Sequence, residues 1–385
     1  MSQPHLAASF FKDKTMRIFW ELPGHSQDGV IDADVLATPL PADRHFDEAG
    51  ATYGDYVEAV ATLLEKREVM ESLCDAVGMV AGEVAGVAVA ILKHGHFYHP
   101  AKITLENKEE EKAHLVINLA VTPEAEACLE REFEVFGHLT GRSDSLPCMF
   151  LKESLEHKGR QMMAMVGEWL EGYWEFHQTE THGEREVVVW AGETHRYISG
   201  TAESLIYSQA AEILTELYNP LTFEAVQPWH HAAGDFVVNI SGETPDVKLI
   251  TVRQYTPMIE LDEVEPEDYL EGTLFFLMLL SIRNRLDRLD GIGEAAWVEG
   301  DVVKATVDGF FKGLSGRVDI GPFEGSFAEW VCIYLKKQDK EDLLGCAGAV
   351  IGSLNPGASE MALISEKIQE HISELAAALS KVDFV

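Results

Sequence analysis

The sequence predicts an α+β protein of two lobes, an antiparallel strand-rich first half carrying one helix and a largely helical second half. Two observations carry this expectation. Between residues 87 and 170 the apolar residues alternate or run in short strand-length blocks, interrupted by a single helical segment. From about residue 176 onward the apolar spacing is mostly three and four, the period of a helix. The 385 residues are 46% hydrophobic and 25% charged, enough to bury a sizeable core and long enough for two to three domains. The expected division is an extension with one long helix over 1–86, an N-terminal lobe and hinge over 87–172, and a helical lobe over 173–385.

Residues 1–50 read as irregular, with prolines, scattered glycines and one strand at 16–22. Over 53–77, Val57, Val60, Leu63, Leu64, Val69, Met70 and Leu73 sit at mostly helical steps, so one helix is predicted. Residues 87–92 and 97–105 read as two strands around Lys93-His94-Gly95-His96, and 115–121 as a third. Pro123 followed by Glu124 suits the start of a helix running to Leu139. Strands follow at 146–151 and 161–169, then a polar stretch with one strand at 187–190. Leu205, Ile206, Ile213, Leu214 and Leu217 form an apolar helical stripe that ends at Asn219-Pro220. A hairpin with strands 236–240 and 247–252 comes next, joined by Ser241-Gly242-Glu243-Thr244-Pro245-Asp246. Helices are expected at 266–289, 299–314, 325–336 and 363–379.

Charge narrows the function. The chain holds 65 Asp and Glu against 30 Lys and Arg, a formal net of -35. Nucleic acid and anionic membranes are met with positive charge, so neither is expected as a partner. No apolar run approaches the roughly 20 residues of a membrane span. Five cysteines without a C-x-x-C pair suit a reducing, cytoplasmic setting rather than a zinc or redox motif.

Motif by motif, little survives. There is no Walker-A loop and no nucleophile elbow. Gly291-Ile292-Gly293-Glu294-Ala295-Ala296 mimics a dinucleotide fingerprint but follows a charged helical stretch where that motif needs a strand. His94, His96 and His99 could share a metal, since positions two apart on a strand share a face, although a solvated hairpin explains them as well. His177 and His182 fall in a polar loop. His230-His231 lie in a loop between a buried helix and a hairpin, behind Pro228-Trp229 and ahead of Gly234-Asp235, the setting in which chemistry concentrates.

Taken in order, five pieces of the chain resemble the protein-kinase-like fold, in its aminoglycoside phosphotransferase and choline-kinase branch. The strand at 115–121 resembles the third strand of that family, and Leu129-Glu130-Arg131-Glu132-Phe133 the helix whose Glu faces a strand lysine. Leu146-Pro147-Cys148-Met149-Phe150 is similar to the next strand. Met163-Ala164-Met165-Val166-Gly167-Glu168-Trp169-Leu170-Glu171-Gly172 is similar to the hinge. The helix ending at Leu217, the His-His-Ala-Ala-Gly-Asp loop and the hairpin to Thr251 resemble the catalytic loop and the metal-binding segment. The resemblance implies nucleotide-binding roles for Asn118, Glu132, Glu168 and Leu170, catalytic roles for His231 and Asp235, and metal-ligating roles for Asp235 and Asn239, with ATP and Mg²⁺ as cofactors.

The departures are specific. Asn118 stands where the family has its lysine, and Thr251 where it has a metal-binding Asp. Two registers of the loop are open: His231 takes the place of the catalytic Asp, with Asp235 near the metal-binding Asn, or Asp235 itself is the base. The first is preferred, because the second squeezes the loop into the strand beginning at Phe236. Phosphoryl transfer needs cations on the phosphates and acids on the metal. With both replaced, the resemblance implies a kinase-like protein with a degenerate active site, a nucleotide-binding or regulatory pseudo-enzyme. The alternative is an atypical ATP-dependent small-molecule phosphotransferase, and a third, weaker reading is a hydrolase or metal protein centred on His230, His231 and Asp235. The expected partner is a small molecule or nucleotide, with a protein partner also open.

Overall fold

The computed structural model describes residues 17–22, 32–41, 50–91, 98–181, 183–191 and 194–382. It comprises two compact units, Met1–His138 with Pro147–Glu171, and Leu139–Leu146 with Gly172–Val385. The first contains β1 (Arg17–Glu21), α1 (Ala33–Leu36), α2 (Tyr53–Leu64), α3 (Arg67–Ala76), β2 (Val84–Ile91), β3 (His99–Asn107), β4 (Lys112–Ala120), α4 (Pro123–Leu139), β5 (Met149–His157) and β6 (Arg160–Glu168). Its six strands form one sheet in the order β1-β2-β3-β4-β6-β5. Every pairing is antiparallel except β1 with β2, so the sheet is antiparallel as expected apart from that edge.

Period-two patterning sends Val87, Val89, Ile103, Leu105, Leu115, Ile117 and Leu119 to one face, where they share a core with Tyr56, Val60, Leu63 and Leu73 of α2 and α3. The other face carries Lys102, Thr104, His114 and Asn118. The helix predicted over 53–77 is two helices, with Lys66 extended between them. The apolar sequence explains the break: after Leu64 the next core residue is Val69, a step of five that no single helical face accommodates. The strand predicted at 146–151 runs on to His157 as β5. It meets β6 through Lys158-Gly159, both at positive φ.

The second unit contains β7 (Trp174–Thr181), β8 (Glu184–Ala191), β9 (Thr194–Ile198), α5 (Thr201–Leu217), β10 (Glu224–Val226), β11 (Phe236–Asn239), β12 (Asp246–Leu249), β13 (Tyr255–Pro257), α6 (Pro266–Arg283), β14 (Leu286–Arg288), β15 (Ala295–Trp297), α7 (Val302–Leu314), β16 (Val318–Ile320), β17 (Phe323–Ser326), α8 (Phe327–Leu335), α9 (Lys340–Ser353) and α10 (Met361–Leu379). It is not purely helical. It also holds a five-stranded sheet, β12-β11-β7-β8-β9, with α5 between β9 and β11 in sequence. Three of its strands lie in the stretch read as polar, because β7 buries His177, Gln178 and Thr179 in place of apolar residues and so hides its alternation. The expected hairpin is present as β11 and β12, with β12 ending at Leu249 rather than 252. Residues 295–297 form a strand where a dinucleotide fingerprint would need a helix.

The segment Leu139–Leu146 belongs to the second unit although the first encloses it in sequence. Arg142 Nη1 donates to the Tyr255 hydroxyl at 3.0 Å, Ser143 Oγ to Glu216 at 2.6 Å, and Leu249 N to Ser145 O at 3.0 Å. No helix among the described residues is long and apolar enough to cross a membrane.

Candidate functional site

In the second unit the loop after Pro228 is built tightly. His231–Ala233 make a single 3-10 turn, which Gly234 ends at φ +68° with its amide on His231 O at 2.9 Å. Glycine, with no Cβ, takes this left-handed conformation freely. A Cβ there would also stand 2.6 Å from the Glu175 carboxylate, the movable end of a long side chain, so it is the positive φ that calls for glycine. The strand then begins at Phe236, as the preferred register assumes.

Asp235 is fully buried. Its Oδ1 accepts from Arg253 Nη2 at 2.7 Å, and its Oδ2 from Arg253 Nη1 and His230 N, both at 2.9 Å. Its backbone carbonyl accepts from Ile250 N at 2.8 Å. A carboxylate held on both oxygens by one guanidinium fork is in a strong, directional pairing. Neither role assigned to Asp235, base or metal ligand, is open to it while Arg253 stays in place.

His231 is also buried, 1% exposed, among the rings of Phe176, Tyr207, Trp229 and Phe236 at 5.4–5.7 Å. Its Nε2 lies 2.9 Å from Asn284 Oδ1. The Asn284 amide nitrogen donates to Tyr207 O and to Thr306 Oγ1, which fixes the orientation of the amide. Nε2 therefore carries the proton and donates it, leaving a bare lone pair on Nδ1 that has no partner. Burial pushes the His231 pKa down, against the pull of the nearby Asp287, and holds the ring neutral. Burial likewise lowers His230 to about 4. A neutral histidine sealed among aromatic rings is a structural member of the loop, not a proton acceptor for a substrate.

Asn239 closes β11, and its Oδ1 already accepts from Ser241 N and Ser241 Oγ at 2.9 and 2.7 Å. Four residue steps along the strand, roughly 13 Å, separate it from Asp235, so the two residues expected to ligate one metal are not brought together. Thr251 lies beyond the end of β12. Among the described residues no group of three or more His, Cys, Asp or Glu is arranged to hold a metal. His177 lies within β7, buried, with Nδ1 3.6 Å from Asp287 Oδ1, not in a loop. His99 is buried on β3 beside Tyr56, so a solvated hairpin does not describe it. His94, His96 and His182 lie outside the described residues.

In the first unit Asn118 is half-buried on β4, paired with Pro100 and Met165, and faces away from the core shared with α2 and α3. Glu132 is fully buried and accepts from the Tyr98 hydroxyl at 2.5 Å. Glu168 ends β6, its amide on Cys148 O and its carboxylate on Cys148 N. Leu170 follows, half-buried.

Three residues outside the sequence reading matter most. Lys102 on β3 pairs across to Val116, two residues from Asn118 and on the same face. Its Nζ is 2.9 Å from Glu171 and 4.6 Å from the centre of the Trp169 ring, while Trp169 Nε1 donates to the same carboxylate oxygen. The lysine bond, chiefly, holds the Glu171 carboxyl below its usual range. A cation therefore stands one strand away from Asn118, beside Trp169 and Glu171. The alternation Lys102-Ile103-Thr104-Leu105 gave its face, but only the register gave its neighbour. Arg253 and Asn284 are the other two; neither lies near its partner in sequence. A scan against protein-family models and a search of curated proteins find no match to this chain.

Proposed function

We propose that the chain is a kinase-like protein with a degenerate active site, a pseudo-enzyme that binds a nucleotide or acts as a regulatory element. The observation that carries this reading is the Arg253 fork on both oxygens of Asp235. Phosphoryl transfer needs an acid free to hold Mg²⁺ or to accept a proton. At Asp235 that capacity is spent on a fixed guanidinium, which supplies a built-in positive charge two residues past Thr251. His231 is occupied in the same structural way by Asn284. The arrangement of the first unit also supports the kinase-like half of the reading. The strand bearing Asn118 pairs with the strand leading to the hinge-like segment, and the Glu132 helix lies between β4 and β5.

The test is a thermal-shift titration with ATP, with and without Mg²⁺ or Mn²⁺, beside an assay for ATP consumption. The expected outcome is a nucleotide-dependent rise in melting temperature without turnover, since a ligand of the native state alone stabilises it. Lys102→Met should remove most of that rise. Lys102 beside the hinge-like segment favours one second reading, an atypical ATP-dependent phosphotransferase with a displaced lysine. ATP turnover that needs a metal and disappears in a folded Asp235→Asn variant would establish that alternative and overturn the pseudo-enzyme.

A further inference from the structure

Helices α5 and α7 run parallel and in close contact. A Cβ on Gly309 would stand 1.9 Å from Ser208 O, and one on Gly313 2.6 Å from Glu212 O, so both helices advance together. Beside this seam lies a groove of about 590 Å³. It is bordered by Thr201, Ser204 and Ser208 from α5, by Lys304 and Lys312 from α7, and by Lys381 beyond α10. Three lysines in one groove stand out in a chain with only 30 Lys and Arg against 65 Asp and Glu.

Three features point to a ligand. Ser208 is only 4% exposed, lines the groove, and its hydroxyl has no hydrogen-bond partner, although buried polar groups are nearly always paired. Lys312 and Lys381 make no ion pair among the described residues, whereas Lys304 is held by Asp308 at 3.0 Å. Both helices begin at the same end of the groove, at Thr201 and Val302, and neither first turn has a side-chain cap, which leaves amides and positive dipole ends there.

We infer that this groove binds a phosphorylated small polyol, a sugar phosphate in chemical class. The phosphate matches the unpaired lysines and the hydroxyl donors. The ligand's own hydroxyls match Asp301 and Asp308, which also line the groove and which a bare anion would leave in repulsion. Lys304 and Lys312 stand two helical turns apart, roughly 12 Å along α7, a span suited to a sugar phosphate rather than a lone phosphate ion. Ser208 sits at an intermediate level, beside Gly309. The site uses none of the residues in the proposed nucleotide reading and does not depend on it.

Isothermal titration of the full chain at low ionic strength, with triose, pentose and hexose phosphates, tests the inference, with glucose and inorganic phosphate as comparison probes. At least one sugar phosphate should bind saturably at a single site, and more tightly than glucose or inorganic phosphate. Lys312→Met with Lys381→Met should weaken it tenfold or more without changing the melting temperature, since both side chains are exposed. Ser208→Ala should weaken it about tenfold, the effect of losing one hydrogen bond to a charged group, with no fall in melting temperature because the hydroxyl has no partner to lose. Absence of saturable binding into the millimolar range overturns the inference. Binding of inorganic phosphate as tight as that of the sugar phosphates removes the polyol, and unchanged affinity in the double lysine variant removes the groove.

Discussion

Asp235 and Arg253 place opposite charges where water does not reach one of them, and neither is dispensable alone. Asp235→Ala leaves a guanidinium facing a pocket without its anion, and is expected to lower stability by about 3–5 kcal/mol; Asp235→Ala paired with Arg253→Met should recover a large part of that. Urea unfolding of the three variants gives the comparison, and a single variant as stable as the parent would contradict the structural role. His231→Phe keeps the ring among its aromatic neighbours but strands Asn284 Oδ1, for an expected loss of about 1–3 kcal/mol. Residue types here were legible in advance: His231, Asp235 and the need for Gly234 all stand out in the sequence. Their partners were not. Arg253 lies 18 residues from Asp235 and Asn284 lies 53 from His231, distances over which no local pattern reports a contact. The same separation hid Lys102, whose place beside Asn118 depends on strand register alone.

Elements with one strong period were legible, and those with buried polar faces were not. The α4 helix, the β11–β12 hairpin and the antiparallel run from β2 to β6 follow their patterns, while β7 to β9 escaped because His177, Gln178 and Thr179 face inward. Contact between α5 and α7 depends on small residues instead. Gly309→Ala would press a methyl group into the Ser208 carbonyl, and the helices must separate to admit it. The expected cost is about 3 kcal/mol, the upper end for overpacking, read as a fall in urea midpoint. Gly345→Ala, in α9 with open space around the position, should be neutral or slightly stabilising. Equal effects at the two glycines would show that close approach is not what Gly309 serves.

Across the whole molecule, buried neutral histidines set an acid limit. Burial lowers His230 to about 4 and His371 to about 3, from an ordinary 6.5, and lowers His231 as well. Unfolded chains therefore bind more protons than the native state below pH 6.5, so stability is full above that value and falls as pH drops toward 4. Neutralising the 65 acidic side chains would relieve repulsion and act in the opposite sense, but mostly below about pH 5. Between pH 6.5 and 5.5 the histidines should dominate. Urea midpoints measured across that interval should decline, and a flat profile would refute this account.

The excursion of residues 139–146 into the second unit has a consequence in time. Ribosomes deliver the chain in one direction, and the six strands of the first sheet are all made once residue 171 has emerged. Yet the anchors of the enclosed segment, Lys248, Leu249 and Tyr255, come about 80 residues later, a delay on the order of 4–16 s at ordinary rates of synthesis. Throughout that interval the nascent first unit carries an unfastened flap, with Arg142 and Ser145 awaiting partners that do not yet exist. Pulse-labelled chains should be cut there by a protease during synthesis and become resistant on completion.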